Sequence, residues 1–100
     1  MAVVDITQYA NLAVDASGRP IPVGMEPGIS NLQVAIGGAS VQSSAFDGST
    51  RLVRVHTDAA IRIAFGANPT ASGTSQRMAA GQTEYFGVRP SEKIAVITTT

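Results

Sequence analysis

Between residues 50 and 98 the chain alternates apolar and polar side chains three times: TRLVRVHT, AIRIAFG and TEYFGVRPSEKIAVIT. Successive side chains of a strand point to opposite faces, so each stretch buries one face and wets the other. In the second, Ile61, Ile63 and Phe65 share one face, while Ala60, Arg62 and Ala64 share the other. In the first, Val53 and Val55 are in phase, opposite Leu52, Arg54 and His56. Half-buried strands of this kind belong to antiparallel sheets.

The supply of apolar residues decides how such sheets are completed. Alanine accounts for 15 of the 44 hydrophobic residues, and 18 of the other 29 are Val or Ile. Branching at the β carbon suits a pleated surface. With no tryptophan and five other aromatic residues, the core is thin for 100 residues. Small domains short of buried area lean on disulfides, metals or self-association. Cysteine is absent and there is one histidine, which removes disulfides and thiolate chemistry and argues against a transition-metal cage. No cofactor is expected, and a homo-oligomer is.

Charge separates along the chain. The first fifty residues carry Asp5, Asp15, Glu26 and Asp47 against Arg19 (minus three), and the second fifty carry six cations against Asp58, Glu84 and Glu92 (plus three). Opposed halves complement each other within or between subunits. Overall neutrality argues against a nucleic-acid binder. The N-terminus MAVVDITQY lacks the basic region of a signal peptide, and no apolar run approaches a membrane span, so no membrane partner is expected.

The chain reads as two zones. Residues 1–30 contain Pro20, Pro22 and Pro27 with Gly18, Gly24 and Gly28. Three prolines in eight positions forbid a helix and disfavour a central strand, because proline lacks the ladder donor. Yet Val3, Val4, Ile6, Tyr9, Leu12, Val14 and Ile21 make this zone too apolar for a disordered tail. We read it as an extended N-terminal arm over its own sheet or a neighbour's. Residues 31–100 read as an all-β domain, a small antiparallel β-sandwich of jelly-roll-like or Ig-like kind. Strands are expected over 31–36, 39–46, 51–57 and 60–65, with Asp47-Gly48 as a hairpin turn. A terminal hairpin over 83–88 and 93–99 is expected to turn at Arg89-Pro90-Ser91-Glu92, and residues 66–76 read as a mobile contact loop.

Candidate chemistry is sparse. His56 with Asp58 as orienter and Ser43 or Ser44 as nucleophile is one catalytic arrangement to weigh, but no Gly-x-Ser-x-Gly elbow precedes either serine. Glu84 and Glu92, separated by a hairpin, could face each other as glycosidase carboxylates do, although Glu92 sits in turn sequence where acids serve solvation. Arg54 and Arg62 alternate with buried residues and so face solvent or a partner. No catalytic residue is assigned. The residues expected to meet a partner are Val3, Val4, Ile6, Tyr9, Leu12, Ile21, Arg54 and Arg62.

The segments VRVHTDAAIRIAFGANPTAS and RMAAGQTEYFGVRPSEKIAVI, together with the looser IPVGMEP of the arm, resemble small virion-associated structural proteins of tailed bacteriophages. The likeness is best over residues 40–98. It implies a β-sandwich component of the particle, most naturally a capsid decoration or cement subunit. Its partners would be the major capsid protein or other virion proteins, and its location the virion. A head–tail connector or tail accessory role is the nearest alternative, and a carbohydrate or host-surface binding module a more distant one.

Overall fold

A computed structural model describes residues 2–99, which form ten strands with no helix among them. In chain order these are β1 (Val3–Tyr9), β2 (Leu12–Val14), β3 (Pro20–Gly24), β4 (Ser30–Ala35), β5 (Val41–Gln42), β6 (Leu52–Thr57), β7 (Ile61–Gly66), β8 (Gln76–Met78), β9 (Thr83–Gly87) and β10 (Lys93–Thr98). Eight of them build two four-stranded antiparallel sheets, ordered β4-β1-β6-β9 and β5-β10-β7-β8, while β2 and β3 pair only with each other.

The alternation expected from sequence is what closes the sandwich. Val4 and Ile6 of β1, Val34 of β4, and Val53 and Val55 of β6 face Ile61 and Ile63 of β7, Met78 of β8, and Ile94 and Val96 of β10. Phe46, in the segment between β5 and β6, fills one end of the same core. Each such side chain contributes about 1.5–3 kcal/mol by leaving water. The expected all-β sandwich is therefore the architecture, and its strand order is that of a jelly roll. Here β1 takes the place that the last strand of an eight-stranded jelly roll normally fills.

That placement corrects the division of the chain at residue 30. Val3–Tyr9 is no arm: it is a central strand, paired with β4 from Val3↔Ala35 to Gln8↔Ser30 and with β6 from Val4↔Thr57 to Tyr9↔Leu52. Val4 and Ile6 are wholly buried in the core, so they are unavailable to a partner. The prolines that argued against a central strand all lie beyond it, in the excursion between β1 and β4.

Several expected hairpins are arches between sheets. The Asp47-Gly48 turn carries the chain from β5 to β6, and the Arg89-to-Glu92 turn carries it from β9 to β10; each pair belongs to opposite sheets. Turn chemistry is the same in either case. Asp47 accepts the Ser49 N–H (2.9 Å) and hydroxyl (2.7 Å) on Oδ1, and the Thr50 N–H on its carbonyl (3.0 Å). The Ser49 backbone and hydroxyl donors hold its carboxyl below the usual carboxylate range. Behind this turn, buried Gln8 accepts the Asp47 N–H (2.8 Å) and the Thr50 hydroxyl (2.7 Å) on Oε1, so the end of the core is sealed by paired polar groups.

The loop between β7 and β8 is packed, not loose. Pro69 and Ala71 are buried. Gln42 donates to Asn68 Oδ1 and to the Pro69 carbonyl (both 2.8 Å), the Ala71 N–H donates to Ser40 Oγ (2.9 Å), and Arg62 donates to the Ser75 carbonyl (2.9 Å). Its many small residues let the loop lie close against its own sheet.

Candidate docking surface

The excursion between β1 and β4 is anchored by one aromatic ring. Tyr9 lies on the outward face of its sheet, where period-two reasoning predicts exposure, yet it is only 1% exposed. The returning chain covers it. A Cβ on Gly24 would overlap the Tyr9 ring, and one on Gly28 would come within 2.7 Å of Thr7 Cγ2 and 2.9 Å of the Gln8 carbonyl oxygen. Both glycines are thus required by close approach. The Tyr9 hydroxyl donates to Glu26 Oε2 (2.5 Å), and the Tyr85 ring lies 6.2 Å away, tilted by 39°. Burial, then the hydrogen bond to the Glu26 carboxylate and its charge, push the phenol up to about 12.

Backbone bonds fix the base of the excursion. Ile29 N–H donates to the Gln8 carbonyl (2.7 Å), Met25 N–H to Asn11 (3.0 Å), and Arg51 N–H to Tyr9 (2.9 Å). Beyond the base, β2 and β3 run as a narrow ribbon with a bulge between Leu12↔Gly24 and Val14↔Pro20. The ribbon ends in a turn closed by Asp15, whose Oδ1 accepts the N–H groups of Ser17 (2.8 Å) and Arg19 (3.0 Å). Gly18 supplies the left-handed residue at φ 80°. The molecule measures 45 × 25 × 23 Å, an elongation that a two-sheet sandwich with a projecting ribbon accounts for.

The excursion that bears this ribbon carries most of the exposed large apolar residues. Of the six large hydrophobic residues exposed among those described, Leu12, Val14, Ile21, Met25 and Ile29 all lie in the excursion, Val14 being half exposed; Val41 is the sixth. Single exposed apolar residues are ordinary, but a clustered set on a projecting element marks an interaction site.

The residues expected to meet a partner therefore divide. Leu12 and Ile21 are exposed on the ribbon; Val4, Ile6 and Tyr9 are buried. Val3 is half-buried, and its N–H donates to Asp58 Oδ2 (3.2 Å). Arg54 stands on the outward face of its sheet between Thr7 and Tyr85, with its charge felt at Tyr9. Arg62 is on the other sheet, tied to its own loop. Sequence reasoning passed over Val14, Met25 and Ile29 as partner residues. Proximity to the prolines was the available signal, since a strand interrupted by Pro20 and Pro22 cannot enter a sheet interior.

The outward face of the first sheet is polar and internally bonded. Gln33 donates to Asp5 (2.8 Å), Thr7 to Asn31 (2.8 Å), and His56 Nδ1 shares a 2.8 Å hydrogen bond with Thr83 Oγ1. Asp58 is engaged with Val3 and not with His56. Ser43 is buried beside β10, where it donates to the Ser44 carbonyl and accepts the Ile94 N–H. The histidine, aspartate and serines are thus not gathered into one site. Glu84 accepts from Gln82 (2.7 Å) opposite Val55, whereas Glu92 sits in the turn at the other end of the sandwich. No group of three His, Cys, Asp or Glu side chains among the described residues is disposed to hold a metal ion.

At the ribbon end, the two sheets part around a cleft of about 380 Å³. Phe46, Phe65 and Val88 line it with Arg51, Arg89 and Glu92.

Comparison with protein-family models, with curated proteins and with solved structures returns no match to this chain. What fold and surface define is a small jelly-roll sandwich bearing an apolar ribbon.

Proposed function

We propose that this protein is a non-enzymatic structural subunit that attaches to a larger assembly through the β2–β3 ribbon. The assembly suggested by the sequence resemblance is a bacteriophage particle, with the chain as a decoration or cement subunit on the capsid shell. One observation carries the reading: five of the six exposed large apolar residues among those described lie in the ring-anchored excursion that bears the ribbon. Each ~100 Å² of apolar area covered there is worth about 2.5 kcal/mol before ordering losses. The tethering of the ribbon base limits those losses, and repetition across a symmetric shell multiplies a modest contact.

The test is quantitative mass spectrometry of purified particles from the lysate of the strain that encodes the chain. Copies in proportion to the major shell subunit support shell decoration, while a number fixed by one ring supports the head–tail connector instead. Absence from particles refutes both. A Leu12→Ser, Val14→Ser, Ile21→Ser triple variant is expected to melt like the parent but to be lost from particles. Retention at parental copy number would show that the ribbon is not the attachment element.

A further inference from the structure

The cleft at the ribbon end has a composition that the ribbon reading does not use. We infer that it is a binding site for a carboxylate side chain flanked by apolar residues, carried on an acidic peptide segment of a partner protein. The inference stands on the cleft alone and does not depend on what the ribbon contacts.

Its floor is apolar. Phe46 is buried at the mouth of the core, and Phe65 is half-buried with its ring 5.1 Å from that of Phe86. Two guanidiniums stand at the rim, from Arg51 and Arg89, both exposed, against one carboxylate, Glu92. The cleft is therefore cationic by one charge. Among the described residues, the arginine side chain bonded within the protein is Arg62, on the opposite side of its sheet; the guanidiniums of Arg51 and Arg89 make no such bond. A guanidinium presents a planar fork of donors that matches a carboxylate in two parallel bonds. The volume is at the small end of the ~300–1,000 Å³ usual for ligand sites, which suits a side chain or two and excludes a large cofactor.

The backbone holds both arginines in place. Val88 N–H donates to the Arg51 carbonyl (2.9 Å), so the two lips are joined just below the side chains. The turn that carries Arg89 and Glu92 passes through Ser91 at φ 65°, the one non-glycine residue in the left-handed region among those described. Such a conformation costs about 1–2 kcal/mol for a residue with a Cβ and persists where its surroundings demand it. Phe46 N–H donates to the Glu92 carbonyl (2.7 Å), which ties this strained turn to the floor of the cleft.

The experiment is an amide NMR titration of the full chain. The probes are a capped tripeptide with glutamate between two leucines, its glutamine counterpart, and inorganic phosphate. The expected result is saturable shifts at Gly66, Gly87 and Arg89 with the glutamate peptide. The glutamine peptide should bind at least ~10-fold more weakly, the equivalent of one charge-assisted contact. Arg51→Gln and Arg89→Gln should each weaken the glutamate peptide several-fold at unchanged melting temperature. The ribbon triple variant should bind it normally, which separates failure here from failure of the attachment reading. Three results would overturn the inference: no localised shifts, equal binding of the two peptides, or phosphate binding as tight as the peptide. Cleft amides that move with protein concentration alone would also overturn it, because a second copy would then be the occupant.

Discussion

Gly24→Ala sets two physical effects against each other, and the structure says which wins. Gly24 has no positive φ, so alanine fits its backbone. On unfolded-state entropy alone the substitution stabilises by about 0.4–1 kcal/mol. The added Cβ, however, would overlap ring atoms of Tyr9, a side chain with almost no exposed surface. The overlap is with an aromatic ring pinned by Glu26 and by the pairing of Tyr9 with Leu52 of β6, so the ribbon has to move instead. Overpacking of this kind costs about 1–3 kcal/mol. The net expectation is destabilisation of ~1–2 kcal/mol, from the difference of the two effects. Gly37→Ala is the control: nothing lies within 4 Å of its added Cβ and its φ is not positive, so it should be neutral or stabilising. Urea denaturation gives the stability difference, and hydrogen exchange gives its location. Amides of residues 10–29 should lose protection in Gly24→Ala while those of β7 and β10 keep theirs. A Gly24→Ala protein as stable as Gly37→Ala, with a protected ribbon, would refute the anchoring of the ribbon by Tyr9.

Two further outcomes follow from the same end of the molecule. Tyr9 has its phenol raised to about 12 against an ordinary 10, so its stabilisation is complete below pH 10 and is lost as pH rises toward 12. By linkage this amounts to about 2–3 kcal/mol, and Tyr9→Phe should flatten the stability profile across that window in chemical denaturation at stepped pH. Gln8→Met keeps the side-chain volume but leaves the Asp47 N–H and the Thr50 hydroxyl without their acceptor. The expected loss is about 1–3 kcal/mol, and a melting temperature equal to the parent's would contradict that accounting.

How much of this was legible beforehand depended on whether the information was local. The inward faces of β6 and β7 follow from side-chain alternation, and Val53, Val55, Ile61 and Ile63 are buried as that alternation requires. Turn positions are equally local: Asp47-Gly48 and Arg89-Pro90-Ser91-Glu92 do turn the chain. Whether a turn closes a hairpin or arches to the opposite sheet depends on partners far away in sequence, and composition is silent on that. Val3–Tyr9 shows the same limit. Its partners begin at Ser30 and Leu52, and nothing within the segment distinguishes a central strand from a clinging arm. Tyr9 reads as wet because its cover comes from Gly24 and Gly28, residues that suggest only flexibility until something is packed against them. The cleft was unreadable for a related reason, since Phe46 and Arg89 come from two separate connections and Phe65 from the end of β7.

The place of β1 beside β6 brings the two ends of the described chain together. Asp58 N–H donates to the Val3 carbonyl (3.2 Å), and Thr99 N–H donates to the Ala60 carbonyl (3.2 Å), on either side of one short turn. That turn is at the pole of the sandwich opposite the ribbon, because β1 runs from Thr57 toward Leu52. A fluorescent domain or an affinity handle fused at either end would project from that pole and leave the apolar tip unobstructed. If the proposed attachment holds, such fusions would stand clear of the contact on each attached copy.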